Sequence, residues 1–92
     1  MRQGYLDNLT PDEKTYLAPY VLEEVTSQVF ELEDGIAGGL VAKNIIYRSS
    51  NLGNVLEGFP YNMQPWARDY LHQHLELLQG AAARPNQRDR HW

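Results

Sequence analysis

Residues 32–50, LEDGIAGGLVAKNIIYRSS, decide how the rest of the chain is read. Ile36, Leu40 and Val41 recur at helical spacing, and the β-branched run IIYRSS that follows has the propensity of a strand. The pattern predicts a helix over 33–44 feeding a strand, with Asn44 able to take the left-handed conformation that ends a helix. Gly38 and Gly39 cost such a helix roughly 1 kcal/mol each relative to alanine. It should be the least stable helix of the chain unless the glycines permit a close helix crossing. In outline the stretch has the form of an element that reads a nucleic-acid groove. Its charge argues otherwise, because it holds two basic residues, Lys43 and Arg48, and opens with Glu33 and Asp34.

Toward the amino terminus, LTPDEKTYLAPYVLEE (9–24) opens with a helix start. Thr10 suits the N-cap, Pro11 the first helical position, and Glu13 completes a capping box three residues after the threonine. Asp12 and Glu13 also favour the positive end of the helix dipole. Leu17 and Val21 should face inward, and Leu6 and Leu9 can staple onto the first turn. Pro19 has no N–H to give to Thr15, which predicts a kink or two short helices in succession. TSQVFEL alternates and favours a strand over 28–32.

Beyond residue 50, NLGNVLEGF (51–59) carries two glycines and two asparagines and reads as a long hairpin loop, with PYNM as a brief return strand. Pro65 begins the last helix, where Trp66, Ala67, Tyr70, Leu71, His74, Leu75 and Leu78 form one apolar stripe ended by Gly80. The order is helix, strand, helix, strand, strand, helix. Helices flanking a short antiparallel sheet give an α+β, winged-helix-like domain over residues 1–79. Residues 80–92, ending AAARPNQRDRHW, have no period and are expected to be a mobile basic tail.

The 92 residues suit one domain, and the 42% hydrophobic share is that of a globular chain. Absence of cysteine removes disulfides and thiolate metal sites and makes a reducing cytoplasm the default expectation. No apolar run approaches the ~20 residues that cross a bilayer. Residues 1–79 hold Arg2, Lys14, Lys43, Arg48 and Arg68 against eleven carboxylates, a net charge of −6, while the tail is +2. Such a body repels a phosphate backbone.

LTPDEKTYLAPYV (9–21), DGIAGGLVAKNIIYRSS (34–50) and FPYNMQPWARDYL (59–71) together resemble the phage superinfection-exclusion B family. The likeness lies in three features. These are a Leu-Thr-Pro-acidic-acidic helix start, a G-x-x-x-x-L-V-A-K helix feeding an I-x-Y-R strand, and a Pro-Trp-Ala start to a Tyr-Leu helix. It covers roughly residues 9 to 78. The resemblance implies a phage or prophage setting and a protein that interferes with an incoming competitor. It also implies a soluble domain that follows amino-terminal membrane spans, whereas this chain contains no span. No catalytic motif comes with it.

Candidate chemistry is sparse. His72 and His74 are two residues apart on a helix and point to different faces, so they cannot share an ion; His74 fits a core-edge residue bonded to a backbone carbonyl, and His91 is in the tail. Ser49 and Ser50 lack the strained Gly-x-Ser-x-Gly elbow. GIAGG lacks the Gly-Lys-Ser/Thr ending of a phosphate loop. The carboxylate pairs Glu23–Glu24 and Glu33–Asp34 fit solvated helix ends. No enzyme activity and no cofactor or metal are expected.

The surplus apolar residues are more informative. Tyr5, Leu52, Val55, Leu56, Phe59, Tyr61 and Trp92 lie outside the periodic elements, although Phe59 should tuck onto the sheet. Grouped with Tyr47 they would make an apolar patch with an acidic rim, suited to a protein partner or to a homo-oligomer. The first expectation is therefore a non-enzymatic interaction module that uses Tyr47, Leu52, Val55, Leu56, Phe59 and Tyr61. An alternative is a winged-helix DNA-binding regulator touching phosphates through Lys43, Arg48, Arg68, Arg84, Arg88 and Arg90. Another is a small acidic inhibitor that covers a basic groove of a host machine.

Overall fold

Thr10 starts the second helix as the capping box requires. Its hydroxyl accepts from the Glu13 amide at 3.1 Å while the Glu13 carboxylate accepts from the Thr10 amide at 3.0 Å. A computed structural model describes residues 2–54 and 56–81. Among them α1 (Arg2–Leu6), α2 (Pro11–Leu22), β1 (Ser27–Phe30), α3 (Gly35–Ala42), β2 (Ile46–Arg48), β3 (Phe59–Met63) and α4 (Pro65–Gln73) follow in turn. A 3-10 turn over Leu75–Leu78 follows α4. The three strands form one antiparallel sheet in the order β1-β3-β2. The architecture is the α+β, winged-helix-like pattern expected, with helices interleaved with a three-stranded sheet.

One face of the sheet builds the core. Phe30, Tyr61, Met63 and Ile46 are buried with Leu6, Leu17, Tyr20, Leu40, Ile45, Ala67 and Leu71 in a single cluster. The opposite face carries Ser27, Val29, Tyr47, Pro60 and Asn62, because cross-strand partners share a face and the register pairs Ser27 and Tyr47 with Asn62 and Val29 with Pro60.

Several elements depart from the sequence reading. Helix α1 was not expected; it forms because Leu6 is fully buried and α1 packs on α4. Pro19 does not divide α2, which runs as one element to Leu22. The amides of Glu23 and Val25 both converge on the Pro19 carbonyl, and burial of Tyr20 and Val21 holds the turn beyond the proline. Strand β1 ends at Phe30 because its partner β3 begins at Phe59, leaving Leu32 in an exposed turn.

Helix α3 is shorter than 33–44, since Asp34 is its N-cap and accepts from the Ala37 amide at 3.0 Å. Asn44 takes φ 64° as expected. The last helix stops at Gln73, where His74 leaves helical geometry at φ −136° and ψ 59°. That break swings Leu78 into the core and leaves Leu75 exposed, and the Lys14 ammonium donates to the Gln79 carbonyl at 2.7 Å. The 3-10 turn packs against α2.

Among the described residues Glu13 is the buried acid, and Lys43 donates to it at 2.8 Å. Burial pushes its carboxyl pKa upward, but the bonds from Lys43 and Thr10 and the Lys43 charge outweigh it, and the net shift is downward from 4.5. A carboxyl depressed by folding adds stability above its unfolded pKa and loses it as pH falls through the folded value. Glu13→Gln keeps a carbonyl for the cap and removes the charge. We expect it to unfold about 1 kcal/mol more easily at neutral pH and to flatten the stability loss seen by urea denaturation as pH drops below 4.5.

A methyl group placed on Gly38 or Gly39 meets nothing within 4 Å, so these glycines serve no close crossing. Gly38→Ala and Gly39→Ala should each raise the unfolding free energy by up to roughly 1 kcal/mol, read as a higher Tm.

Candidate functional site

The hairpin connection between β2 and β3 is tied together at its described residues. Asn54 and Gly58 make an isolated bridge, exchanging backbone bonds at 3.2 and 2.8 Å. The Asn54 side-chain oxygen accepts from the Glu57 amide at 2.7 Å. Gly58 takes φ 104°, and a Cβ there would lie 2.6 Å from the Phe30 carbonyl. Gly53 is also confined, because its Cβ would lie 2.4 Å from the Gly58 carbonyl. Ser50 closes the approach by accepting from the Leu52 amide at 3.0 Å. Gly58 therefore presses the loop against the end of β1 and Gly53 sits against Gly58 and Phe59, and only residues without a side chain fit at either position.

Against this frame the proposed contact residues separate. Leu52 and Leu56 are 85% and 86% exposed. Tyr47 is exposed on the open sheet face, on the same face as Val29 and Pro60. Phe59 is partly buried, packs on the core as expected, and carries the Arg48 guanidinium 4.7 Å from its ring centre. Tyr61 corrects the sequence reading: it is 6% exposed and faces the helices, because strand alternation places it with Phe59 and Met63 on the inner side. Val55 and Trp92 lie outside the described residues. Val29 was missed; its alternation with Phe30 was visible, but which of the two faces outward was not.

The residues of the nucleic-acid alternative are spread and engaged. Lys43 is paired with Glu13 at 2.8 Å. Arg68 donates to the Tyr20 carbonyl at 2.6 Å and to the Val25 carbonyl at 3.2 Å, fastening the end of α2 and the turn before β1. Arg48 lies on the Phe59 ring, and Lys14, which sequence reasoning passed over, is held by the Gln79 carbonyl. Arg84, Arg88 and Arg90 lie outside the described residues. Between β1 and β2 there is a single helix, α3, so no helix-turn-helix pair stands in that segment. Its amino end presents the carboxylate of Asp34, which also accepts from the Tyr16 hydroxyl at 2.8 Å.

Reactive groups are placed structurally. The Ser49 hydroxyl points at the Pro60 carbonyl at 3.4 Å. His74 is not bonded to a backbone carbonyl as expected; its Nδ1 lies 3.5 Å from Glu76 and its ring 4.4 Å from that of Tyr70. The Tyr70 hydroxyl donates to Asp7 at 2.9 Å, and that bond holds the phenol above its ordinary range. Among the described residues no three His, Cys, Asp or Glu side chains gather into a metal-binding group. No helix among them is long and apolar enough to cross a membrane.

Arg68→Met should cost about 2 kcal/mol of unfolding free energy, since it strips charged donors from two carbonyls. Urea denaturation measures it, and a loss near zero would mean that the guanidinium is dispensable to the α2–β1 corner.

No curated protein and no solved structure matches the chain. Residues 1–75 match the family described as super-infection exclusion protein B (SieB), a span from α1 through α4 that includes the sheet and the hairpin, and the chain belongs to that family.

Proposed function

We propose that this domain is a non-enzymatic protein-interaction module, phage- or prophage-encoded, that interferes with a host or a competing phage by binding another polypeptide. The contact is made by the hairpin tip and the open sheet face beside it. One observation carries the reading: Leu52 and Leu56 stand almost fully exposed on a loop whose backbone is fixed by its own hydrogen bonds. Isolated exposed leucines are common, but two beside a bridge closed by backbone bonds form a pre-organised apolar anchor that loses little entropy on binding.

Membership of the super-infection exclusion family supports the interference role. Lys43 is held by Glu13, Lys14 and Arg68 by backbone carbonyls and Arg48 by the Phe59 ring, an arrangement that favours polypeptide over phosphate as the partner.

The test is exclusion of a competing phage by bacteria that express the chain. Leu52→Ser with Leu56→Ser should raise plating efficiency toward the empty-vector level while the far-ultraviolet spectrum and Tm stay unchanged. Phe59 is left intact because it packs on the core. Undiminished exclusion by the double variant would remove the hairpin from the mechanism. Retention of duplex DNA on a filter at micromolar protein, with a steep salt slope, would favour a regulator instead.

A further inference from the structure

We propose that the outer edge of β1 docks an extended polypeptide segment rich in Lys or Arg, which adds as a fourth strand. The orientation of the main chain follows from one hydrogen bond. Arg48 is opposite Tyr61, so Ser49 is opposite Pro60, and the Ser49 amide donates to the Pro60 carbonyl at 2.9 Å. Main-chain groups alternate sides along a strand. Pro60 therefore aims at β2, while Phe59 and Tyr61 aim at β1, where they meet Phe30 and Gln28. Ser27 and Val29 must then turn their N–H and C=O away from the sheet. Since β1 is an edge strand, those groups face outward.

The edge carries none of the lysines or prolines by which edge strands commonly avoid pairing. Its sequence is Ser-Gln-Val-Phe, and Val29 is 59% exposed. Carboxylates define the occupant. Glu23 and Glu24 precede the strand, Glu31 and Glu33 follow it, and all four are exposed. Glu57 adds a fifth from the hairpin, because the adjoining Gly58 sits against the Phe30 carbonyl and Val29 Cγ1. Arg68 stands near the start of the strand with its guanidinium occupied by the Tyr20 and Val25 carbonyls. Two copies joined edge to edge would bring these carboxylates together, whereas a basic segment would neutralise them. Added strands draw affinity from main-chain bonds and specificity from alternate side chains. This surface is separate from Leu52 and Leu56.

Fluorescence anisotropy on the full chain tests the proposal, with a short labelled peptide of alternating lysine and valine as probe. We expect binding that weakens with salt and is at least about tenfold weaker when glutamate replaces lysine. N-methylation of the peptide backbone at the valines or at the lysines should abolish binding for one set and spare it for the other, since only alternate amides face β1. Val29→Pro, which removes an outward donor and no ladder bond, should weaken binding at least about fivefold. The Leu52→Ser, Leu56→Ser variant should bind the peptide as the unmodified chain does.

Absence of binding, an equal response to the two methylated peptides, or self-association of the chain through this edge would overturn the proposal. The methylated peptides leave the protein untouched, so the result does not depend on whether Val29→Pro folds.

Discussion

The phenol of Tyr20, fully buried, donates to the Tyr61 carbonyl on the central strand at 2.6 Å. The carbonyl of the same residue accepts from Arg68 of α4 at 2.6 Å. One residue thus fastens the end of α2 to the middle of the sheet and to the last helix. A buried hydroxyl left without a partner costs about 1–3 kcal/mol, so alternative placements of α2 on the sheet are disfavoured. Once α2 is fixed on that face, Phe30, Tyr61 and Met63 must be inside. Val29, Tyr47 and Pro60 are then left on the open side, and everything available for recognition follows from this choice of face.

Charge follows the same logic. Lys43, at the end of α3, donates to the second oxygen of the capping-box Glu13, so a local cap becomes a link between two helices. Arg68 and Lys14 fasten helix ends through backbone carbonyls. Cations that fulfil these duties are poorly placed to meet phosphate, and the uncompensated carboxylates remain outside. The acidity of the surface is thus tied to how the fold uses its few positive groups.

Pro60 shows how the central strand accepts an imino acid. Its missing N–H would have faced Ser49, just past the end of β2, so the sheet loses one bond at the margin of the ladder. The same geometry directs Phe59 and Tyr61 toward β1 and leaves alternate groups of β1 facing outward. Gly58, at φ 104°, lets the hairpin press against Phe30 where any side chain would collide with backbone.

Much of this was legible in the residues. The Thr10–Glu13 cap, the left-handed Asn44, the strand at Ile46–Arg48 and the start of α4 at Pro65 each depend on a few neighbouring residues, and local energetics specify them. The exposed hairpin leucines were legible too, because they belonged to no periodic element. Tertiary structure alone decided that Tyr61 is core, that α1 forms, that α2 passes through Pro19 and that the last helix breaks at His74. It also decided that Lys43 and Arg68 are engaged within the fold. Each outcome balances a local preference against burial or hydrogen bonding supplied by a partner distant in sequence, and no short window of residues contains that partner.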